Sequence, residues 1–278
     1  MSGIARTLES LAKTGSGAFV PYVCAGDPDT QFSLDLVERL CGAGADIIEL
    51  GLPFSDPIAD GPVIQKAMIR SLAGGFKVAH AFDLIRSMRA RGIAQPAILM
   101  TYFNPVFKMG VERFCAELAD AGGDGVLVVD LPPEESSELD RAADACGLDV
   151  IRLVAPSTTD ERLEYLLSGA SGFVYVVSSS GTTGVKDMLP PSADSLLRRV
   201  VPRSPVPALL GFGISEPGHV REALKLGAAG VVEGSKIVSL YSGCLDDRKR
   251  ALKDVEEHAR AMKAACMPVQ APESGRGP

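Results

Sequence analysis

The sequence predicts an α/β protein, a closed (β/α)8 TIM barrel, and three observations lead there. Eight short apolar runs rich in Val, Ile and Leu are spread evenly along 278 residues, each ended by Gly, Pro, Asp or Ser. Most are continuously apolar rather than alternating, the pattern of parallel strands covered on both faces. Helical patterns lie between them, and eight strand–helix units in a chain of this length close into a barrel. A doubly wound sheet is the alternative, but no G-x-G-x-x-G follows the first run.

Each element can be justified in order. Ile4, Leu8 and Leu11 fall on one helical face, predicting an N-terminal helix that caps the bottom of the barrel. The strand-like runs are 18–26, 46–53, 97–103, 125–132, 149–156, 172–181, 207–214 and 230–238. Residues 32–43 carry Leu34, Leu36, Val37 and Leu40 at helical spacing. Helices 111–121 and 134–146 follow, the second opened by Pro132-Pro133-Glu134-Glu135, a proline-then-acid start. Thr158-Thr159-Asp160-Glu161 reads as a capping box before 163–167. The connection after strand two, 54–95, is far longer than the others and holds an additional helix. The other long polar connection is 178–191, after strand six. Connections of this length in a compact barrel act as lids or binding elements. Residues 1–266 read as a single barrel domain, and the Pro/Gly-rich segment 267–278 as a disordered tail.

Composition excludes several classes of function. Net charge is −7 with no basic stripe, which argues against nucleic acid. No apolar run approaches the roughly 18 residues that span a bilayer. The N-terminus lacks the apolar stretch of a signal peptide, so a cytoplasmic protein is expected. Cys24, Cys41, Cys115, Cys146, Cys244 and Cys266 are scattered without C-x-x-C spacing, and read as reduced thiols rather than metal ligands. His80, His219 and His258 lie in helical segments and read as solvated surface residues.

Glu49 is the residue that breaks pattern. It interrupts Ile47-Ile48-Glu49-Leu50, where a carboxylate is costly to desolvate unless paired, protonated or functional. No Arg or Lys at a neighbouring strand end offers a partner, so Glu49 reads as a general acid/base with a raised pKa. The turn-rich loop above it supplies Asp56 and Asp60, either of which could complete a pair or simply shape a turn. Asp27 and Asp130 also sit at strand ends, Asp27 serving equally well as a turn residue. Strand seven ends in Gly211-Phe212-Gly213-Ile214 and strand eight runs through Gly234-Ser235 into a helix. Glycine loops after these two strands plus a helix N-terminus form a recurrent phosphate site of such barrels, with Ser180-Gly181-Thr182-Thr183-Gly184 offering further donors. No strand-end Lys or His suggests a Schiff base or a metal, Lys236 lying just beyond the glycine loop. The residues themselves lead to a carboxylate acid/base enzyme acting on a small phosphorylated molecule.

Together these segments resemble the tryptophan synthase alpha chain family. The likeness is carried by Phe19-Val20-Pro21-Tyr22, Gly26-Asp27-Pro28, the run from Glu49 through Pro53-Phe54-Ser55-Asp56-Pro57 to Gln65, Met100-Thr101-Tyr102-Phe103-Asn104-Pro105, and both glycine loops. The resemblance implies retro-aldol cleavage of indole-3-glycerol phosphate in L-tryptophan biosynthesis. Glu49 would be the acid/base, and Asp60 would accept a hydrogen bond from the indole N–H. Tyr22, Ile64, Met100, Tyr102, Leu127 and Tyr175 would line the indole pocket. Gly184, Phe212, Gly213, Gly234 and Ser235 would hold phosphate, and Thr183 would close over Asp60. No cofactor is implied on this chain. Indole would pass to a pyridoxal-phosphate-bearing beta chain within an α2β2 heterotetramer, whose binding would order the loops after strands two and six.

Three departures from the family accompany the likeness. Tyr22 stands where Phe is frequent, Cys24 replaces Thr, and Glu233 replaces a small or apolar residue beside the phosphate glycine. Strand alternation predicts that Glu233 points away from the site. A flavin-dependent barrel, which places its phosphate at the same strands, and a subunit that mainly activates a partner are the competing functional readings.

Overall fold

The computed structural model describes residues 2–177 and 189–268. The chain opens with α1 (Gly3–Lys13), β1 (Ala18–Cys24), α2 (Thr30–Gly42) and β2 (Ile48–Gly51). Two helices, α3 (Pro62–Ala73) and α4 (Val78–Ala90), precede β3 (Ala97–Thr101), α5 (Phe103–Met109), α6 (Val111–Asp120) and β4 (Gly125–Val128). Then come α7 (Ser137–Ala145), β5 (Asp149–Val150), β6 (Arg152–Val154), α8 (Asp160–Ser168), β7 (Val174–Val177) and α9 (Pro191–Val200). The last third holds β8 (Ala208–Gly211), α10 (Pro217–Lys225), β9 (Gly230–Glu233), α11 (Ser235–Ser242) and α12 (Arg248–Ala265).

All strand pairs are parallel, in the order β5-β4-β3-β2-β1-β9-β8-β7-β6. The two edges, β5 and β6, are consecutive pieces of one strand, so the barrel closes through the chain at Ile151. This corrects the single strand expected over 149–156. Residues 149 and 150 pair with β4, whereas 152–154 pair with β7, and the ladder changes partner between them. Closure excludes the doubly wound alternative.

The N-terminal cap forms as the pattern predicts. Ser2 caps α1 by accepting from the Ala5 amide at 3.2 Å, and Ile4 and Leu8 are buried. A Cβ at Gly125, the first residue of β4, would touch Ile4, which places the helix across the N-terminal ends of the strands. The long connection after β2 contains the additional helix, α3, ahead of the barrel helix α4.

Other boundaries shift for local reasons. The expected strands are longer than the observed ones because their apolar tails, such as Leu52, Tyr102 and Ile214, remain buried beyond the ladder. The helix expected over 134–146 splits into a single 3-10 turn (Pro133–Glu135) and α7, separated at Ser136. Thr159 caps α8 by accepting from the Arg162 amide at 3.3 Å, but Arg at that third position removes the reciprocal bond of a capping box.

The histidines are less solvated than their helical setting suggests. His219 is buried, and its Nδ1 accepts from the Ser215 amide at 3.3 Å. Nδ1 of His80 accepts from the Lys77 amide at the start of α4, and His258 holds Glu233. No described helix is long and apolar enough to cross a membrane. Most of the segment read as a disordered tail, from residue 269 onward, lies outside the described residues, as do Thr183 and Gly184.

Candidate active site

The C-terminal ends of β1, β2 and β3 meet at Glu49. It faces Tyr22 on β1 and Ile98 on β3 across the ladder, while Gly51, Met100 and Leu127 form the next row towards the mouth. Glu49 is only 2% exposed, and its Oε1 has no hydrogen-bond partner among the described residues. Burial, with the nearby charge of Asp60, pushes its carboxyl up to about 8. Glu49 is therefore a protonated acid at neutral pH.

Asp60 reaches the same space from the loop between β2 and α3. Its Oδ2 accepts from the Tyr102 hydroxyl at 2.6 Å, and that hydroxyl accepts from the Ala59 amide at 3.0 Å. Burial raises the Asp60 carboxyl while the Tyr102 bond opposes the rise. The two acids thus sit in contrasting surroundings, one without a described donor at Oε1 and one with a phenolic donor. Gln65 braces the loop by donating to the Asp60 carbonyl at 2.8 Å, and the Phe54 ring stacks on Tyr102 with centroids 4.9 Å apart. The role of Gln65 was not foreseen. Its place in the motif offered no sign that it would turn back onto the loop.

The other acids do structural work. Asp27 is fully buried and takes two bonds from Arg70 of α3, at 2.8 and 2.7 Å, plus one from Tyr241 of α11 at 2.8 Å. It ties the additional helix to the barrel. Asp130 accepts from the Phe103 amide at 2.7 Å, and Asp56 from the Ser55 hydroxyl at 2.6 Å.

Ile64, Met100, Tyr102, Leu127 and Tyr175, expected to line the indole pocket, are all buried. Two glycines make the space. A Cβ at Gly51 would overlap the Tyr22 ring and hydroxyl, and one at Gly211 would overlap Tyr175. Two surface clefts of about 490 and 270 Å³ lie apart from this group, the first beside Phe54 and Lys108, the second beside Asp130 and Arg152.

Beyond β8, Phe212 and Gly213 are both in the left-handed region, at φ of 62° and 78°. Phe212 is strained there, and its ring packs edge-on to Tyr175 with centroids 6.2 Å apart. Gly234 and Ser235 open α11, and no side chain among the described residues caps its first-turn amides, the donors that an anion would take. A Gly213→Val substitution is expected to raise KM for a phosphorylated substrate at least about 10-fold, because a β-branched residue resists a left-handed φ. Steady-state kinetics check it, and an unchanged KM would place the anion elsewhere.

Glu233 points outward, as alternation predicts. Its Oε1 lies 2.8 Å from His258 Nε2 on α12, and it is 1% exposed. Replacing His258 by Ala removes the hydrogen-bond partner of this buried carboxyl and should lower the unfolding free energy by about 1–3 kcal/mol. Urea titration reads the change, and a loss below about 1 kcal/mol would show that the pair is not holding Glu233.

A family model described as tryptophan synthase alpha chain matches residues 8–267. The chain belongs to the tryptophan synthase alpha chain family. Among curated members it is 42% identical to the tryptophan synthase alpha chain of Methanothermobacter thermautotrophicus, over 92% of this chain and 95% of the other. It is 44% identical to that of Phenylobacterium zucineum, over 92% and 93%. Solved structures agree. A Mycobacterium tuberculosis tryptophan synthase chain superposes with a TM-score of 0.88 at 32% identity, covering 96% of this chain and 99% of that one. A chain of the Pyrococcus furiosus tryptophan synthase complex does so with 0.82 at 39%, covering 90% and 99%.

Proposed function

We propose that this chain cleaves indole-3-glycerol phosphate to indole and glyceraldehyde 3-phosphate by a retro-aldol reaction. The observation that carries the reading is Glu49, a buried carboxyl with one oxygen unpartnered among the described residues, beside an Asp60 already engaged by Tyr102. Protonated Glu49 gives its proton to C3 of the indole ring. The positive charge that develops at the ring nitrogen is stabilised by Asp60, accepting from the N–H. The Glu49 carboxylate then takes the proton from the hydroxyl on the adjoining carbon. That carbon becomes the aldehyde, the C–C bond electrons return to the ring, and Glu49 ends protonated as it began. Phe212, Gly213, Gly234 and Ser235 hold the phosphate through backbone amides and the Ser235 hydroxyl; Thr183 and Gly184, expected to take part, lie outside the described residues.

This chemistry asks for no cofactor on the chain; pyridoxal phosphate belongs to a beta-chain partner that consumes the indole. Ile58 and Phe107, 84% and 68% exposed, stand on the connections after β2 and β3, at the rim of the mouth. Exposed apolar side chains at that place suit a partner covering the exit. Indole release from indole-3-glycerol phosphate, assayed with and without a beta chain, tests the reading. A purified chain that forms no indole under either condition would overturn it.

A further inference from the structure

Two buried polar atoms in the site lack good partners among the described residues, and they are complementary. Oη of Tyr22 and Oε1 of Glu49 are both buried and neither has a hydrogen-bond partner of good geometry among the described residues, the Tyr22 hydroxyl having only the weakly accepting Cys24 thiol beside it. Their residues face each other directly across the β1–β2 ladder. The path of the Tyr22 ring is fixed by its neighbours. Its Cβ and Cγ lie 3.6 and 3.7 Å from where a Cβ on Gly234 would be, beside the phosphate loop. Its hydroxyl lies over Gly51, one row above Glu49 on the same face of β2. The ring therefore runs from beside Gly234 to Gly51, one row above the acid/base. Burial raises the phenol well above its usual range, so the hydroxyl keeps its proton and acts as a donor.

A buried donor and a buried acceptor left open in a folded protein each cost free energy until something fills them. A single alcohol can fill both, since its oxygen accepts and its hydrogen donates. We propose that Tyr22 and Glu49 share one substrate hydroxyl, that of the carbon attached to the indole ring. The Tyr22 hydroxyl donates to the oxygen of that alcohol, and the alcohol hydrogen points at Oε1 of Glu49. When Glu49 removes the proton, negative charge grows on the oxygen that Tyr22 already faces. The bond strengthens in the transition state and so lowers the barrier, which makes Tyr22 a catalytic residue as well as a wall of the indole pocket. This inference rests on the proposed retro-aldol reading and adds a donor to it.

Tyr22→Phe in the full chain tests the inference, because it removes one hydroxyl whose described hydrogen-bonding neighbour is only the weakly accepting Cys24 thiol. Thermal unfolding should be nearly unchanged, since no hydrogen bond of good geometry among the described residues is lost. The value of kcat/KM for indole-3-glycerol phosphate should fall about 10- to 100-fold. Binding of 3-indolylpropyl phosphate, which keeps ring and phosphate but has no chain hydroxyls, should be the same for both proteins. Two results would overturn the role of Tyr22: a kcat/KM equal to wild type, or equal weakening of substrate and hydroxyl-free analogue. Failure of the parent reading looks different, because then wild type itself releases no indole.

Discussion

Glu49→Gln is expected to abolish indole release, with a fall of about 10²–10⁴-fold or more in kcat. The amide keeps the size and hydrogen-bonding capacity of the side chain but can neither protonate the ring carbon nor take the hydroxyl proton. The same variant should be more stable than wild type at alkaline pH, and the sign follows from proton binding. Glu49 in the folded chain is raised from 4.5 to about 8, so between those values the folded state holds a proton that the unfolded state has released. Stability contributed by the wild-type residue is then greatest below the unfolded value and is lost as pH rises through about 8. The full difference corresponds to about 5 kcal/mol as an upper bound, and Gln does not incur it. Chemical denaturation at pH 6 and pH 9 should show the variant's advantage over wild type growing with pH, by about 3 kcal/mol between the two. A stability difference that does not change with pH would mean that Glu49 titrates normally in the folded chain.

Asp60→Asn carries the second large effect, about 10–10³-fold in kcat and smaller than that of Glu49→Gln. Asn retains the length and can still accept a bond from Tyr102 but lacks the charge that offsets the developing indole cation. The loss should fall mainly on kcat, because the charge it answers appears only as C3 is protonated. An Asp60→Asn protein of full activity would make Asp60 a turn residue, braced by Tyr102 and Gln65 for the sake of the loop alone.

Much of this arrangement was legible before the fold was known. The continuous apolar runs identified a parallel, two-sided sheet, and the single carboxylate among Ile47, Ile48 and Leu50 marked the chemistry because charge is so costly there. Strand alternation placed Glu233 on the outer face. Other features depend on contacts distant in sequence and leave no local trace. The partner change at Ile151 reflects how eight strand units close, not any breaker residue. Arg70, 43 residues from Asp27 and on a helix outside the repeating pattern, gives no sign of its ion pair. His258 reads as surface until α12 is laid against β9, because helical periodicity marks which face is apolar but not what that face meets.

The central claim is that the buried Glu49 carboxyl, protonated at neutral pH, is the group that starts the cleavage. The pH dependence of kcat/KM for indole release tests it most directly, since that profile reports the free protein. The account predicts a plateau on the acid side and a tenfold decline per pH unit above about 8. A profile that stays level through this region, or that rises across it, would contradict the assignment of Glu49 as the proton donor.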